Sequence, residues 1–463
     1  MMLRLGALAL TLSALGAQAA DAQAYAFPRY TTAAQIDGEC AALLTQQKQQ
    51  EQRLQQLTAA GGTAMLVELD GMLRRYEDTA GPMALLAAVH PDKAIRDAAD
   101  ACELGYQAFN SAFLQNRRIY SLLKQAQPAD EIDRRLQRDQ LDAFEDAGVS
   151  LEADQQARAQ AINTEVTRLT QLFERRVRED KTRVAYTVAE LQGVPIKVWK
   201  AAKRDRQGRY LLPLDYPSSQ PVIEQALSAT SRERMWRAFH QLGGEDNLKT
   251  LQHLGNLRRE YAQLFGFDSH ADFVLRRRMA QRAAEVQGFL GGVKQAVGQR
   301  ELTDLAVLRA AKAKHLKGGP AGTAIQRWDV AFYTERARQA RYAVDQEQFR
   351  AYFPPEASLQ FVFKLAEQLF GVRFAPVAQP LWHADARAFS VSDGAGQQLL
   401  GTLFVDLYPR PDKYGHAAVW SFRNVSTQAQ RLPAAGLVTN FNFNRQGLSL
   451  EELETLLHEF GHA

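Results

Sequence analysis

The sequence predicts a mainly α-helical protein with a small β-sheet placed just ahead of its last helix. Three observations carry this expectation. From about Ala33 to Ala280, apolar residues recur at three- and four-residue spacing in a background of Ala, Gln, Leu, Arg and Glu, which is the period of an amphipathic helix. Strand-like alternation becomes prominent only after Trp382, and from Ser449 the helical period returns and holds to Ala463. A chain of 463 residues with 46% hydrophobic content can bury about three quarters of its unfolded surface. Its length suits about three domain-sized units. The expected division is a leader at 1–24, a helical region at 25–220 and a region at 221–463 that holds the chemistry. With 56 basic and 52 acidic residues the formal charge is only +4, so nothing points to nucleic acid or another polyanion as partner.

The leader is read from Arg4, which supplies a basic start, from the apolar run Leu5 to Leu15, and from the small residues that follow. This is the pattern of a secretory signal peptide. Cleavage after Ala17-Gln18-Ala19 and after Ala22-Gln23-Ala24 both meet the small-residue requirement. The apolar run, about 11 residues, is far shorter than the roughly 20 that span a bilayer. The mature chain is therefore expected in the periplasm or outside the cell, free of the membrane. Export places Cys40 and Cys102 in an oxidising compartment, where two cysteines can form one disulfide. Spacing does not decide between that bond and two separate buried thiols.

Among the helices, the clearest runs from Ser150 to about Asp180. Ile162, Val166, Leu169, Phe173 and Val177 line one face, with Arg168, Glu174, Arg175 and Arg178 around the rest, so the helix faces a core. Thr230 to Glu233 reads as a capping box with Thr230 as N-cap. Arg276-Arg277-Arg278 reads as a solvated helix face, and Gly318-Gly319-Pro320-Ala321-Gly322 as a connecting loop. A further helix is expected from Pro355 through Leu359, Val362, Phe363, Ala366 and Leu369 to Gly371, proline first and glycine last. Arg387 to Ser392 and Leu399 to Leu407 flank Asp393-Gly394 as a β-hairpin, with further strands expected at Val419 to Val425 and Leu437 to Phe443.

The last helix opens at Ser449, with Glu452 three residues on to close a capping box. Leu453, Leu456, Leu457 and Phe460 form an apolar stripe that anchors it. His458 and His462 are four residues apart, about 400° of helical rotation, so their imidazoles stack on one side and can share one ion. Zinc suits this pair, because a catalytic zinc takes three protein ligands and keeps a fourth position for water. Glu459 sits beside the ion without binding it easily from the same turn, which leaves its carboxylate as general base. The competing reading is a surface helix with two solvated histidines; the capped setting and the leader favour the site. His383 and His416 lack ligand spacing and read as structural.

The residues around this motif add a resemblance. Glu454-Thr455-Leu456-Leu457-His458-Glu459-Phe460-Gly461-His462-Ala463 resembles the zinc helix of the family that holds thimet oligopeptidase, oligopeptidase A and the dipeptidyl carboxypeptidases. The likeness extends through Trp328-Asp329, Tyr352-Phe353-Pro354, Leu369-Phe370-Gly371, Trp382-His383, Asp406-Leu407-Tyr408-Pro409-Arg410 and Lys413-Tyr414-Gly415-His416. Leu264-Phe265-Gly266-Phe267 and Arg278-Met279-Ala280 match the same texture, so it covers roughly Ser231 to Ala463.

The resemblance implies a helical ellipsoid with a deep channel that admits short unfolded peptides, with the small sheet near the zinc helix. It implies one zinc ion on His458 and His462, Glu459 as catalytic base, and hydrolysis of short oligopeptides, by internal cleavage or by release of dipeptides. A monomer is expected. The chain departs from the pattern where it stops: the family's third ligand is a glutamate downstream of the motif, and its transition-state-binding tyrosine and histidine come later still. That ligand is therefore expected beyond Ala463, and the 463-residue chain by itself is expected to hold zinc weakly and to be inactive. Thr402-Leu403, where the family tends toward aromatics, and Asn442, where it favours proline, are expected to touch substrate preference at most. The rival to an enzyme is a helical protein that binds peptides without hydrolysing them.

Overall fold

The structure is a computed structural model that describes residues 23–58, 62–318, 324–343, 346–396, 398–441 and 447–463. Residues 1–22 of the expected leader at 1–24, the loop at 319–322 and Asn442 lie outside the described residues. The first helices are α1 (Ala33–Gln56), α2 (Ala64–Val89), α3 (Lys93–Phe113), α4 (Arg117–Gln125), α5 (Glu131–Asp146) and α6 (Ala153–Arg178). A two-stranded antiparallel pair, β1 (Val184–Tyr186) and β2 (Tyr210–Leu212), brackets the short helix α7 (Ile196–Trp199). Then come α8 (Tyr216–Gln225), α9 (Ala229–Phe239), α10 (Gly244–Leu264), α11 (His270–Leu275), α12 (Ala283–His315), α13 (Val330–Tyr342) and α14 (Pro355–Phe370). Strands β3 (Val372–Val377), β4 (Arg387–Asp393), β5 (Leu399–Asp406), β6 (Ala418–Arg423) and β7 (Ala434–Val438) precede α15 (Leu450–His462). The mainly α expectation holds.

The five later strands form one sheet in the order β3-β4-β5-β7-β6, antiparallel except for the parallel β5–β7 pair. Successive side chains of a strand point to opposite faces, and here both faces are buried. Ala388, Phe404, Ala434 and Val438 join Leu85, Val89 and Trp382 on one side. Phe389, Leu403, Val405 and Leu437 join Leu359, Val362, Phe363 and Leu456 on the other. The sheet is thus sandwiched between the amino-terminal helices and the α14–α15 layer, which fixes the last helix against it.

An extended amino-terminal segment closes the first of these layers. Tyr25 N donates to Thr402 Oγ1 at 2.8 Å, Phe27 N donates to Gln379 Oε1 at 2.8 Å, and Gln379 Nε2 donates back to the Tyr25 carbonyl at 3.2 Å. The Phe27 ring packs against Trp382, Phe404 and Phe422 at 4.8, 5.3 and 5.7 Å. Nearby, Cys40 of α1 and Cys102 of α3 are bonded to each other, which resolves the alternative that the sequence leaves open.

Several expectations are corrected. The cap of α9 is Ser228, whose hydroxyl accepts from Ser231 N at 3.2 Å; Thr230 lies inside the first turn, and Glu233 pairs with Arg237 instead. Arg276 and Arg277 follow α11 in a turn rather than on a helix face, and both bond to Asp146, with Arg277 also reaching Asp142 and Glu145. They stitch α11 to the end of α5 rather than facing solvent alone. Strand β7 begins at Ala434, three residues before Leu437, and ends at Val438. Thr402 and Leu403 are both buried. The hairpin β4–β5 forms as expected, and Gly371 ends α14 with φ of 64°, a left-handed conformation in which glycine has no Cβ to strain.

Candidate metal centre

Helix α15 is held at its start by three devices. Ser449 and Glu452 form the expected capping box: Glu452 N donates to Ser449 Oγ at 3.0 Å, and Ser449 N donates to Glu452 Oε2 at 2.7 Å. Arg350 Nη1 bonds the same Glu452 carboxylate at 2.6 Å and the Gly447 carbonyl at 3.1 Å. Leu448 N donates to the Phe353 carbonyl at 2.7 Å. Leu456 is fully buried, and Leu453, Leu457 and Phe460 pack against the same cluster as Phe363 and Phe374. Each large side chain buried in full contributes about 1.5–3 kcal/mol, so the helix is seated through the stripe the sequence marks.

That seating leaves the chemistry-bearing edge free. His458 and His462 are exposed, with their rings at 82° and their Nε2 atoms 3.3 Å apart. Two nitrogens that each bind a tetrahedral zinc at its usual bond length stand about 3.3 Å apart. The pair therefore fits two corners of such a site. Among the described residues, no group of three or more His, Cys, Asp or Glu side chains is arranged to hold a metal ion. Asp406 is buried under Arg410, Lys413 and Trp382, and His416 Nδ1 is committed to the Tyr216 hydroxyl at 3.1 Å.

Glu459, half-buried, lies on the edge of α15 that borders a cleft of about 1590 Å³. The cleft runs between α15, the loop after β5, α8 and α13; Tyr216, Arg336, His416, Glu451 and Thr455 line it with Glu459. The loop after β5 is fixed from beneath. Asp406 accepts from Trp382 Nε1 at 2.8 Å, from Arg410 at 2.7 and 2.9 Å, and from Lys413 Nζ at 2.8 Å. Lys413 Nζ also donates to the carbonyls of Asp406, Tyr408 and Thr439. Burial pushes the Asp406 carboxyl up, but Arg410 and Lys413 outweigh it and hold it below the usual carboxylate range. Burial, with Glu174 and Glu459 nearby, pushes the Tyr414 phenol up, so it keeps its proton at neutral pH and remains a donor.

The sequence marks His458, Glu459 and His462, and the structure brings them together on α15. It misses Tyr216, whose ring meets His416 edge-on at 5.5 Å. No motif surrounds Tyr216; the only signal was the segment Lys413-Tyr414-Gly415-His416, which carries its partner.

Comparison with known proteins decides the family. The pattern of peptidase family M3 matches residues 222–463. The chain belongs to peptidase family M3. Within it, the chain is similar to oligopeptidase A of Escherichia coli, with 32% identity over 69% of this chain and 50% of that protein. A probable thimet oligopeptidase of Arabidopsis thaliana is 27% identical over 69% of this chain and 46% of its own. A dipeptidyl carboxypeptidase of Salmonella typhimurium is 29% identical over 68% and 48%. The chain spans about half the length of the curated M3 relatives it matches.

Proposed function

We propose that this M3 protein is an exported zinc metallopeptidase that hydrolyses peptide bonds in short, unfolded oligopeptides. The observation that carries the reading is the 3.3 Å approach of His458 and His462 Nε2 atoms on a helix whose next residue, Glu459, borders a peptide-sized cleft. His458 and His462 are two ligands of one zinc ion, and a glutamate from beyond Ala463 completes the set, as the family resemblance implies. Bound there, zinc would act as a Lewis acid and lower the pKa of a water to about 7.

The chain's own residues do the rest. Glu459 takes a proton from the attacking water and returns it to the departing amine, which lets one carboxylate serve as base and then acid. The capping box and Arg350 hold the start of α15, and the stripe beneath it keeps Glu459 turned toward the cleft. Asp406 and Lys413 hold the loop that forms the opposite wall.

The test uses the natural protein, its metal content measured by elemental analysis and its turnover on a quenched fluorescent peptide. Glu459→Gln is expected to keep zinc and lose about 10²–10⁴ in rate, the usual share of general acid–base catalysis. His458→Ala is expected to lose the metal. Normal turnover in Glu459→Gln with normal zinc would remove Glu459 from the role of base.

A further inference from the structure

Beside the cleft that holds Glu459 lies a second hollow of about 570 Å³. Its walls are Tyr216, Ile223, Trp236, Phe239, Val330 and Ala331. Tyr216 meets Phe239 edge-on at 5.3 Å, and Trp236 stacks on His240 at 4.2 Å. Tyr216, Gln220 and Ala331 border both spaces, so the hollow is a side pocket of the cleft. The shared wall is fixed: the Tyr216 hydroxyl is bonded to His416, and His240 Nδ1 to the Trp236 carbonyl at 2.8 Å. Arg327, exposed and without an ion-pair partner among the described residues, brings a permanent positive charge to the rim.

An apolar, aromatic-walled pocket with one guanidinium at its edge selects a ligand that carries a large apolar side chain and an anion together. In a peptide, only a C-terminal residue presents both from one Cα, because an apolar side chain cannot itself supply the charge. We propose that this hollow receives the C-terminal residue of a bound peptide, an aromatic or large aliphatic side chain between Trp236 and Phe239 with its α-carboxylate on Arg327. The inference rests on the peptidase reading only for the presence of a peptide in the cleft.

Binding is measured by tryptophan fluorescence and calorimetry on the natural protein carrying Glu459→Gln, so that nothing is consumed. The probes are one pentapeptide ending in Phe, the same peptide ending in Ala, and the Phe peptide as its C-terminal amide. Phe should bind about 10- to 100-fold tighter than Ala, as burial of one large side chain gives. The acid should exceed the amide by about two- to fivefold, the share of an exposed ion pair. Ala331→Trp, which fills the hollow, should erase the Phe-over-Ala ratio, and Arg327→Gln should erase the acid-over-amide ratio. Ratios that survive both substitutions, or no binding of any of the three peptides, overturn the proposal. If turnover by the unsubstituted protein is zinc-dependent while the ratios survive, this inference fails and the peptidase reading stands. If the ratios behave as expected but no peptide is cleaved, the peptidase reading fails and the pocket belongs to a peptide-binding protein.

Discussion

Asp406 is fully buried, and four donor nitrogens from Trp382, Arg410 and Lys413 surround its carboxylate. Removing its charge leaves Arg410 and Lys413 with carbonyl acceptors but without the buried carboxylate that balances them, a change that costs about 3–5 kcal/mol. The pH dependence has a definite sign. A carboxyl held below its unfolded value of about 3.9 contributes stability that is complete above that pH and fades as the pH falls through the folded value. Asp406→Asn should therefore be much less stable than wild type in urea at neutral pH, and the gap should narrow below about pH 4. An equal gap at both pH values would mean that the carboxylate's charge is not what holds the loop. At this scale the sequence was most legible where helical geometry imposes spacing: His458 and His462, four residues apart, do stand side by side on α15. Ser228 was hidden because three hydroxyl residues stand within four positions, and Glu233 pointed to the wrong one. Tyr216 was hidden because its partner, His416, is 200 positions away.

Elements were legible where their ends carry a local signal. Helix α14 runs from its proline to its glycine, and α15 starts at its serine. Strand β3 was missed because it holds Pro376 and half-exposed residues. It is tolerated there because β3 is the sheet's edge, where one side of the strand needs no ladder bond. Two expectations belong to this scale. Ser449→Ala removes the side-chain half of the capping box and should cost about 0.5–2 kcal/mol, read as a lower denaturation midpoint with far-ultraviolet dichroism nearly unchanged. Gly81, inside α2, is the point where that helix touches the sheet: a Cβ there would stand 2.3 Å from the Phe422 carbonyl oxygen of β6. Gly81→Ala should push the helix off the strand and cost about 1–3 kcal/mol. A midpoint equal to that of wild type would show that the layer separates without strain.

Across the whole molecule, the layers on either side of the sheet come from opposite ends of the described chain, which no local pattern announces. The Cys40–Cys102 bond closes a span of 62 residues within the first of these layers. In the chain-entropy account such a closure is worth about 4 kcal/mol, so the double variant Cys40→Ala/Cys102→Ala should melt several degrees lower. Peptide mapping of the denatured, unreduced natural protein should recover Cys40 and Cys102 in one cross-linked pair; free thiols at both positions would mean that the bond does not form in its own compartment.

The segment at Tyr25 and Phe27 has a consequence for the order in which the protein is made. Thr402, which holds Tyr25, is made 377 positions after it. At synthesis rates of about 5–20 residues per second, roughly 20–75 s separate the two. Cys40 and Cys102 are made within about 3–12 s of each other on the same clock, but their bond needs oxidising surroundings, so under the proposed export it closes only after the chain leaves the ribosome. Until the sheet is made, the Phe27 ring has no Trp382 or Phe404 to cover it, and the segment waits for residues made long after it.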